Sequence, residues 1–223
     1  MISIVISTHG DSRDVPTMLN LLERQRVYSR GVPPHAPKQK PVDFLAGKYL
    51  SPFDYDLIEV VVVSHGPIIG GSINGAVMDR VAQFIELPVI PNSFGHHCRE
   101  AGIKAATGDW IVLTSADNLF CAGWLHHVMQ AVRRPLVGMV VWKVVNNYWG
   151  WTTGKQYPRG KEKVERGQID ACSAMVRADI AHKIGFPFRN MDGDADYLLG
   201  CALEAKRRRL KVEFLPQILA VHQ

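Results

Sequence analysis

Cysteine, long apolar runs and strong net charge are all scarce in this sequence, and each shortage closes off a class of protein. Cys98, Cys121, Cys172 and Cys201 are the only cysteines in 223 residues. They are far apart and form no Cys-x-x-Cys pair, so a disulfide framework is excluded and they read as reduced, mostly buried thiols. No stretch approaches the ~18 apolar residues of a membrane helix. Met1 leads directly into a strand-like run with no signal sequence, which predicts a cytoplasmic protein without a transmembrane segment. The formal charge of +5 is modest. It suits an anionic small molecule such as a nucleotide diphosphate and is too weak to argue for nucleic acid. A single domain over 1–223 is expected, long enough for a substantial core.

What is present is an alternation of short apolar runs with helical repeats. Residues 2–7 are β-branched and read as a buried strand. Val15, Met18, Leu19 and Leu22 then recur at helical spacing, with Pro16 in the first turn. Strand, loop and helix in that order open a βαβ unit. Residues 24–56 hold Pro33, Pro34, Pro37, Pro41 and Pro52 among Lys38, Lys40 and Lys48. That stretch predicts an irregular insertion, either a solvated loop or a flap toward a partner. A second strand is expected at 57–63. A helix carrying Ala76, Val77, Val81, Phe84 and Ile85 should follow, and then a third strand at 87–90. A further helix is expected from Ser93, capped by that residue and closed by Gly108.

Downstream, 110–113 is a short apolar run bounded by Gly108-Asp109 and by Thr114-Ser115-Ala116-Asp117-Asn118. That is how a strand buried on both faces of a parallel sheet reads. It leaves Asp117 just past the strand's carboxyl end, where open α/β sheets bind ligands. A carboxylate there suits Mg²⁺ or Mn²⁺, hard cations that take oxygen ligands and share them with substrate phosphates; a plain polar turn is the alternative. Arg99, on the preceding helix, could meet a diphosphate bidentately or simply be solvated. His96-His97-Cys98 lacks a second ligand pair at zinc-site spacing, so no zinc is expected there. Helices at 121–133 and from the Asp192-Asp194-Asp196 cluster to Lys206–Arg209, and strands at 136–145, 168–177 and 211–215, complete the pattern. Tyr148-Trp149-Gly150-Trp151 lies between them, on a loop fit to stack on a sugar or base or to pack as a connection.

The segment from Asn92 to Trp124 resembles the centre of family 2-like glycosyltransferases of the GT-A fold. There a Gly-x-x-x-x-Arg-Asn-x-Gly-Ile-x-x-Ala-x-Gly helix leads into a strand ending Asp-x-Asp-Asp. The matching residues are Gly95, Arg99, Glu100, Gly102, Ile103, Ala106, Gly108 and Ser115-Ala116-Asp117-Asn118. The resemblance runs from Ile2 to His222. It implies an α/β, Rossmann-like nucleotide-binding domain with a mixed, mainly parallel central sheet. It implies transfer of a sugar from a nucleotide-diphosphate sugar, a UDP-sugar by analogy, to an acceptor hydroxyl on a saccharide or other glycan.

The same resemblance assigns residues. Thr8 and His9, matching a Pro-Thr-Tyr-Asn motif as Ser7-Thr8-His9-Gly10, would line nucleobase and ribose. Ser64 stands where relatives place an Asp that binds uracil, and Ser115 stands for the first Asp of Asp-x-Asp. Asp117 and the late His222 would hold Mn²⁺ or Mg²⁺. Asp194 falls on the second position of a Glu-Asp pair, where inverting enzymes keep the general base; a helix cap is its bland alternative. Arg177 matches an arginine expected at the active-site edge. Ser64, Ser115, Asn118 and Gly193 replace family carboxylates, or in Asn118 the last of the motif. A catalytically silent nucleotide-sugar-binding module and a nucleotidyltransferase therefore remain as alternatives.

Overall fold

Alternation within each apolar run decides the layering. In a computed structural model, which describes residues 1–9, 14–25, 58–67, 78–93, 95–146, 151–152, 163–166, 169–187 and 192–222, β1 (Ile2–His9) and β2 (Ile58–His65) are buried on both faces. Ile4, Ile6, Val60 and Val62 point into one core, and Val5, Val61 and Val63 into the other. A strand that feeds two cores needs apolar side chains on both faces, which is why 4–6 and 60–63 show no polar alternation; at the strands' starts Ser3 and Glu59 are buried as a hydrogen-bonded pair. The second core strand of the centre, β4 (Trp110–Ser115), behaves likewise.

The sheet order is β3-β2-β1-β4-β8-β6-β9-β5, where β3 is Gln83–Leu87, β5 Asn118–Phe120, β6 Val137–Asn146, β8 Ala174–Arg177 and β9 Lys211–His222; β7 (Trp151–Thr152) pairs with β6. The long ladders are parallel and the short ones antiparallel. This is the mixed, mainly parallel α/β sheet expected from the sequence. Helices α1 (Asp14–Glu23) and α3 (Trp124–Val132) bury Met18, Leu19, Trp124 and Val128 in the first core. On the other side, α2 (His96–Ala105), α4 (Ala178–Ile184) and α5 (Gly193–Arg207) bury Ile103, Ile180, Tyr197 and Cys201 in the second. The α2 helix lies hard against β1, since a Cβ on Gly102 would come within 2.1 Å of Val5 Cγ1. All four cysteines are free thiols.

Several expected boundaries move. Phe84 and Ile85 lie in β3 instead of on a helix, facing opposite cores beside β2. The ladder to β2 outweighed their helical spacing, and Pro88, which has no N–H, follows the strand's end. Helix α2 is capped by Gly95 at φ +74°, not by Ser93, whose backbone carbonyl instead accepts from His96 N–H at 2.8 Å; its C-cap is Ala106, not Gly108. The expected strand at 168–177 is a 3₁₀ turn (Ala171–Ser173) followed by β8. The last strand runs past Pro216 to His222, because a register shift between Val141 and Lys143 of β6 absorbs the missing donor. Most of the 24–56 insertion, the start of the helix expected from Gly71, and Tyr148-Trp149-Gly150 lie outside the described residues.

Candidate active site

The carboxyl ends of β1, β2 and β4 form one edge. Register places Thr8 beside Ser64, His9 beside His65 and Ser7 beside Ser115. Parallel pairing therefore gathers at one edge the residues that the sequence assigned to a nucleotide. Their exposures differ. Ser64 is fully buried and donates its hydroxyl to the Gly66 carbonyl at 2.7 Å, so it presents no surface to a base. Thr8 is buried and bonds the carbonyl of His9, while His9 itself is exposed. The group the sequence reading missed here is His65, whose Nε2 accepts from Ile90 N–H at 2.6 Å. Its ring lies 5.5 Å from that of His9 and edge-on at 4.4 Å to that of His97. Burial, and then the charge of His9, lower the proton affinity of His65. Burial, followed by the charge of His65, does the same to His97.

The turn after β4 holds the acidic half. Ser115, standing where the first aspartate was expected, donates to Asp117 Oδ1 at 2.5 Å and accepts from Asn118 Nδ2 at 2.7 Å. It therefore steadies the turn. The strand β5 then pairs antiparallel with β9 and sets Asn118 opposite His222. Consequently His222 Nε2 comes to 3.3 Å from Asp117 Oδ2, although 105 residues separate them in the chain, by subtraction of their numbers. On its far side, His222 Nδ1 lies 3.3 Å from Asp170 Oδ2. Hydrogen bonds donated by the ring to Asp117 and then to Asp170 raise the His222 pKa to about 10 against the opposing effect of burial. Burial pushes Asp117 and Asp170 up, but hydrogen bonds from His222 and their own neighbours overcome it and hold both below the ordinary value.

Sequence reasoning missed Asp170 because it sits inside a stretch read as strand. Its other oxygen accepts from Cys172 N–H at 3.0 Å, and Ser173 Oγ in turn accepts from Asp170 N–H at 3.3 Å, forming a capping box. The pattern Asp170-x-x-Ser173 was the available signal, since Asp disfavours strand interiors and the spacing is that of a capping box.

Asp194 completes the cluster. Its carboxylate accepts from the Ala171 N–H, so one turn ties Asp194 to Asp170. Arg99 Nη1 pairs with it at 3.0 Å and lies 5.5 Å over the ring of Phe186. The guanidinium is thus paired with Asp194 in this structure. Burial raises the Asp194 pKa; Arg99 opposes this most, and the charge of Asp170 adds to it. Asp117, Asp170 and Asp194 all act on the buried thiol of Cys172, which burial pushes well above its usual value. Asp194 is not a cap: helix α5 is entered through Asp192, which makes no side-chain capping bond. Asp192 and Asp196 pair with Arg166 instead. Gly193 has its own cause, because a Cβ there would sit 2.5 Å from His96 Cε1. The imidazole fills the space a carboxylate side chain would leave from.

Arg177 does not reach this edge. Because β8 runs antiparallel to β4, it pairs with Trp110 at the sheet's opposite end. There it binds Asp179 at 3.1 Å and lines a polar cavity of about 610 Å³ with Arg134, Asp109 and His182.

Among the described residues no group of three His, Cys, Asp or Glu side chains is arranged to hold a metal by itself. The donor set nonetheless fits a divalent cation that shares its shell with phosphate. Cis ligands of an octahedral ion at ~2.1 Å lie about 3 Å apart, close to the 3.3 Å between Asp117 Oδ2 and His222 Nε2. The buried Asn118 Oδ1 beside them has no hydrogen-bond partner among the described residues.

A parallel sheet edge next to a central strand ending in a carboxylate turn, closed by a late histidine strand, matches the glycosyltransferase GT-A fold, and this chain has that fold. No protein-family model and no curated protein sequence matches it. Among solved structures it is similar to S. aureus TarS, at 13% identity with a TM-score of 0.68 over 100% of this chain. It is likewise similar to TarS 1-349 in complex with UDP-GlcNAc, at 14% identity and a TM-score of 0.66 over 99% of this chain. The mannosyltransferase PcManGT from Pyrobaculum calidifontis, in complex with GDP-Man and Mn²⁺, matches at 17% identity and a TM-score of 0.60 over 99% of this chain. The chain spans 36% of TarS, 57% of the TarS 1-349 complex and 56% of PcManGT. No described helix is long and apolar enough to cross a membrane.

Proposed function

We propose that this chain is a metal-dependent, inverting glycosyltransferase of family 2 type, moving a sugar from a nucleotide-diphosphate sugar to an acceptor hydroxyl. The observation that carries the reading is the convergence of Asp117, His222, Asp170 and Asp194 at one sheet edge. The neighbours' complexes with UDP-GlcNAc and with GDP-Man and Mn²⁺ support a nucleotide-sugar donor. Asp117 and His222 would hold Mn²⁺ or Mg²⁺. When bound, the ion supplies positive charge where the departing diphosphate develops negative charge. Thr8, His9 and His65 stand where the nucleoside would lie. Asp194 takes the proton from the acceptor hydroxyl as that oxygen attacks the anomeric carbon from the face opposite the diphosphate, inverting its configuration. Its raised proton affinity brings a carboxylate nearer the operating pH, which favours a base. Arg99 holds it in place.

A catalytically silent nucleotide-sugar-binding module is the second reading, favoured by Ser115 and Gly193 standing in for carboxylates and by the Arg99–Asp194 pair. A donor screen separates the two. Purified protein is incubated with a panel of nucleotide-sugars with Mn²⁺, with Mg²⁺ or with EDTA, and nucleotide release is read. Release of nucleoside diphosphate that stops with EDTA is the expected result. Binding without turnover for every donor means the silent module, and formation of nucleoside triphosphate and sugar 1-phosphate when pyrophosphate is added means a nucleotidyltransferase.

A further inference from the structure

We propose that Asp170 is the positioning residue of the metal site: it accepts a hydrogen bond from His222 Nδ1–H and so presents Nε2, beside Asp117, as the ligating nitrogen. This rests on the reading of Asp117 and His222 as metal ligands. An ionised carboxylate can only accept, so the 3.3 Å contacts of Asp170 Oδ2 with Nδ1 and of Asp117 Oδ2 with Nε2 put a proton on each nitrogen of the metal-free ring; a cation beside Asp117 would take the place of the Nε2 proton, while Asp170 keeps the one on Nδ1. The opposite nitrogen then points at Asp117, on the strand-to-strand turn that the fold places at the ligand edge. Carboxylate, imidazole and ligand position fall in line, as in metal sites where an outer carboxylate fixes the histidine tautomer.

Asp170 is itself held. One oxygen is fixed by Cys172 N–H at 3.0 Å and the turn it caps is buried beneath the site, leaving the other oxygen aimed at the imidazole. The same turn donates Ala171 N–H to Asp194. One short turn thus locates both the metal histidine and the base.

The test separates capping from positioning. Asp170→Ser keeps a hydroxyl able to cap Cys172 N–H but is too short to reach His222. Free Mn²⁺ is counted by electron paramagnetic resonance during titration of the protein, first with the metal alone and then with UDP or GDP present. The protonation of the two His222 ring nitrogens is read from their ¹⁵N shifts at a diamagnetic Mg²⁺ concentration that saturates the wild type. Losing such an outer partner weakens metal binding by about 10–100-fold, and that loss is expected in Asp170→Ser, with an unchanged melting temperature and a His222 no longer protonated predominantly at Nδ1. Mn²⁺ affinity at the wild-type level in Asp170→Ser, while His222→Ala loses it, reduces Asp170 to a cap and overturns the proposal. Wild-type Mn²⁺ affinity in His222→Ala removes the ligand reading itself and the proposal with it. Should Asp170→Ser fail to fold, Asp170→Asn decides. Its amide oxygen still caps the turn, while its NH₂ faces Nδ1 and puts the imidazole proton on Nε2. It must lose Mn²⁺ to the same extent, and wild-type affinity refutes the proposal.

Discussion

Replacing Asp194 by Asn removes a base without removing its shape, and the structure allows the two consequences to be separated. A positioned general base contributes ~10²–10⁴-fold in rate, about 3–5 kcal/mol of barrier. The stability effect is set by Arg99, paired at 3.0 Å. Asn keeps an oxygen that accepts from the guanidinium and from Ala171 N–H, so a charge-assisted hydrogen bond becomes a neutral one, at a cost of roughly 1 kcal/mol. Burial already disfavours the Asp194 charge, so removing that charge recovers part of the cost. A chain of this size should lose no more than about 2–4 °C of melting temperature per kcal/mol. Arg99→Leu is the contrasting variant: it leaves a half-buried carboxylate without its cation and should cost about 2–3 kcal/mol. The assay is nucleoside diphosphate release with the donor found in the screen, alongside calorimetric donor affinity and melting temperature. Near-unchanged affinity with turnover down by at least about two orders of magnitude is expected, the signature of an interaction made only in the transition state. Turnover within about threefold of wild type would refute the assignment. A fall of stability larger than that of Arg99→Leu would show that Asp194 serves the fold instead.

Ser64→Ala should lower stability by about 1 kcal/mol, through loss of the bond to the Gly66 carbonyl, and leave the ranking of UDP, GDP, CDP and ADP in competition binding unchanged; a changed ranking means that Ser64 touches the base after all. Gly193→Ala should cost about 1–3 kcal/mol by overpacking against His96, and chemical denaturation should show the loss relieved in a His96→Ala background. If the two losses simply add, the contact at 2.5 Å from His96 Cε1 is not the cause. Glu204 is hydrogen-bonded by Arg207, Lys183 and Arg208, and those bonds depress its folded pKa far below the ordinary value of 4.5. Its contribution to stability is thus present above that unfolded value and is lost as pH falls toward the folded one, so Glu204→Gln should flatten the acid side of the melting-temperature profile. An identical acid profile in wild type and variant speaks against this linkage.

Residues 2–7 and 110–113 could be read from the sequence alone because a strand buried on both faces has a pattern set by its own composition. The same holds for α1, where Val15, Met18, Leu19 and Leu22 recur with the period of the helix. Asp117 was legible for a related reason: an apolar run that stops at a carboxylate locates that carboxylate along the strand, and strand ends locate ligands. Phe84 and Ile85 show where this stops working, since their spacing suits a helix and only pairing with β2 makes them strand. Arg177 was assigned to the wrong edge because direction within a sheet is not written in a strand's own residues; its antiparallel pairing with β4 decided it. Ser64 carried a hydroxyl of the right kind, but which way it faced depended on the Gly66 turn. Asp170 became visible only when β9 returned His222 to β5, since a contact across 52 residues depends on chain return and not on local propensity. Local sequence determined which segments could be buried strands and amphipathic helices, because burial and period are short-range properties. Tertiary structure decided which side chains share the site, because Asp117, Asp170, Asp194 and His222 meet only through the strand order of the finished sheet.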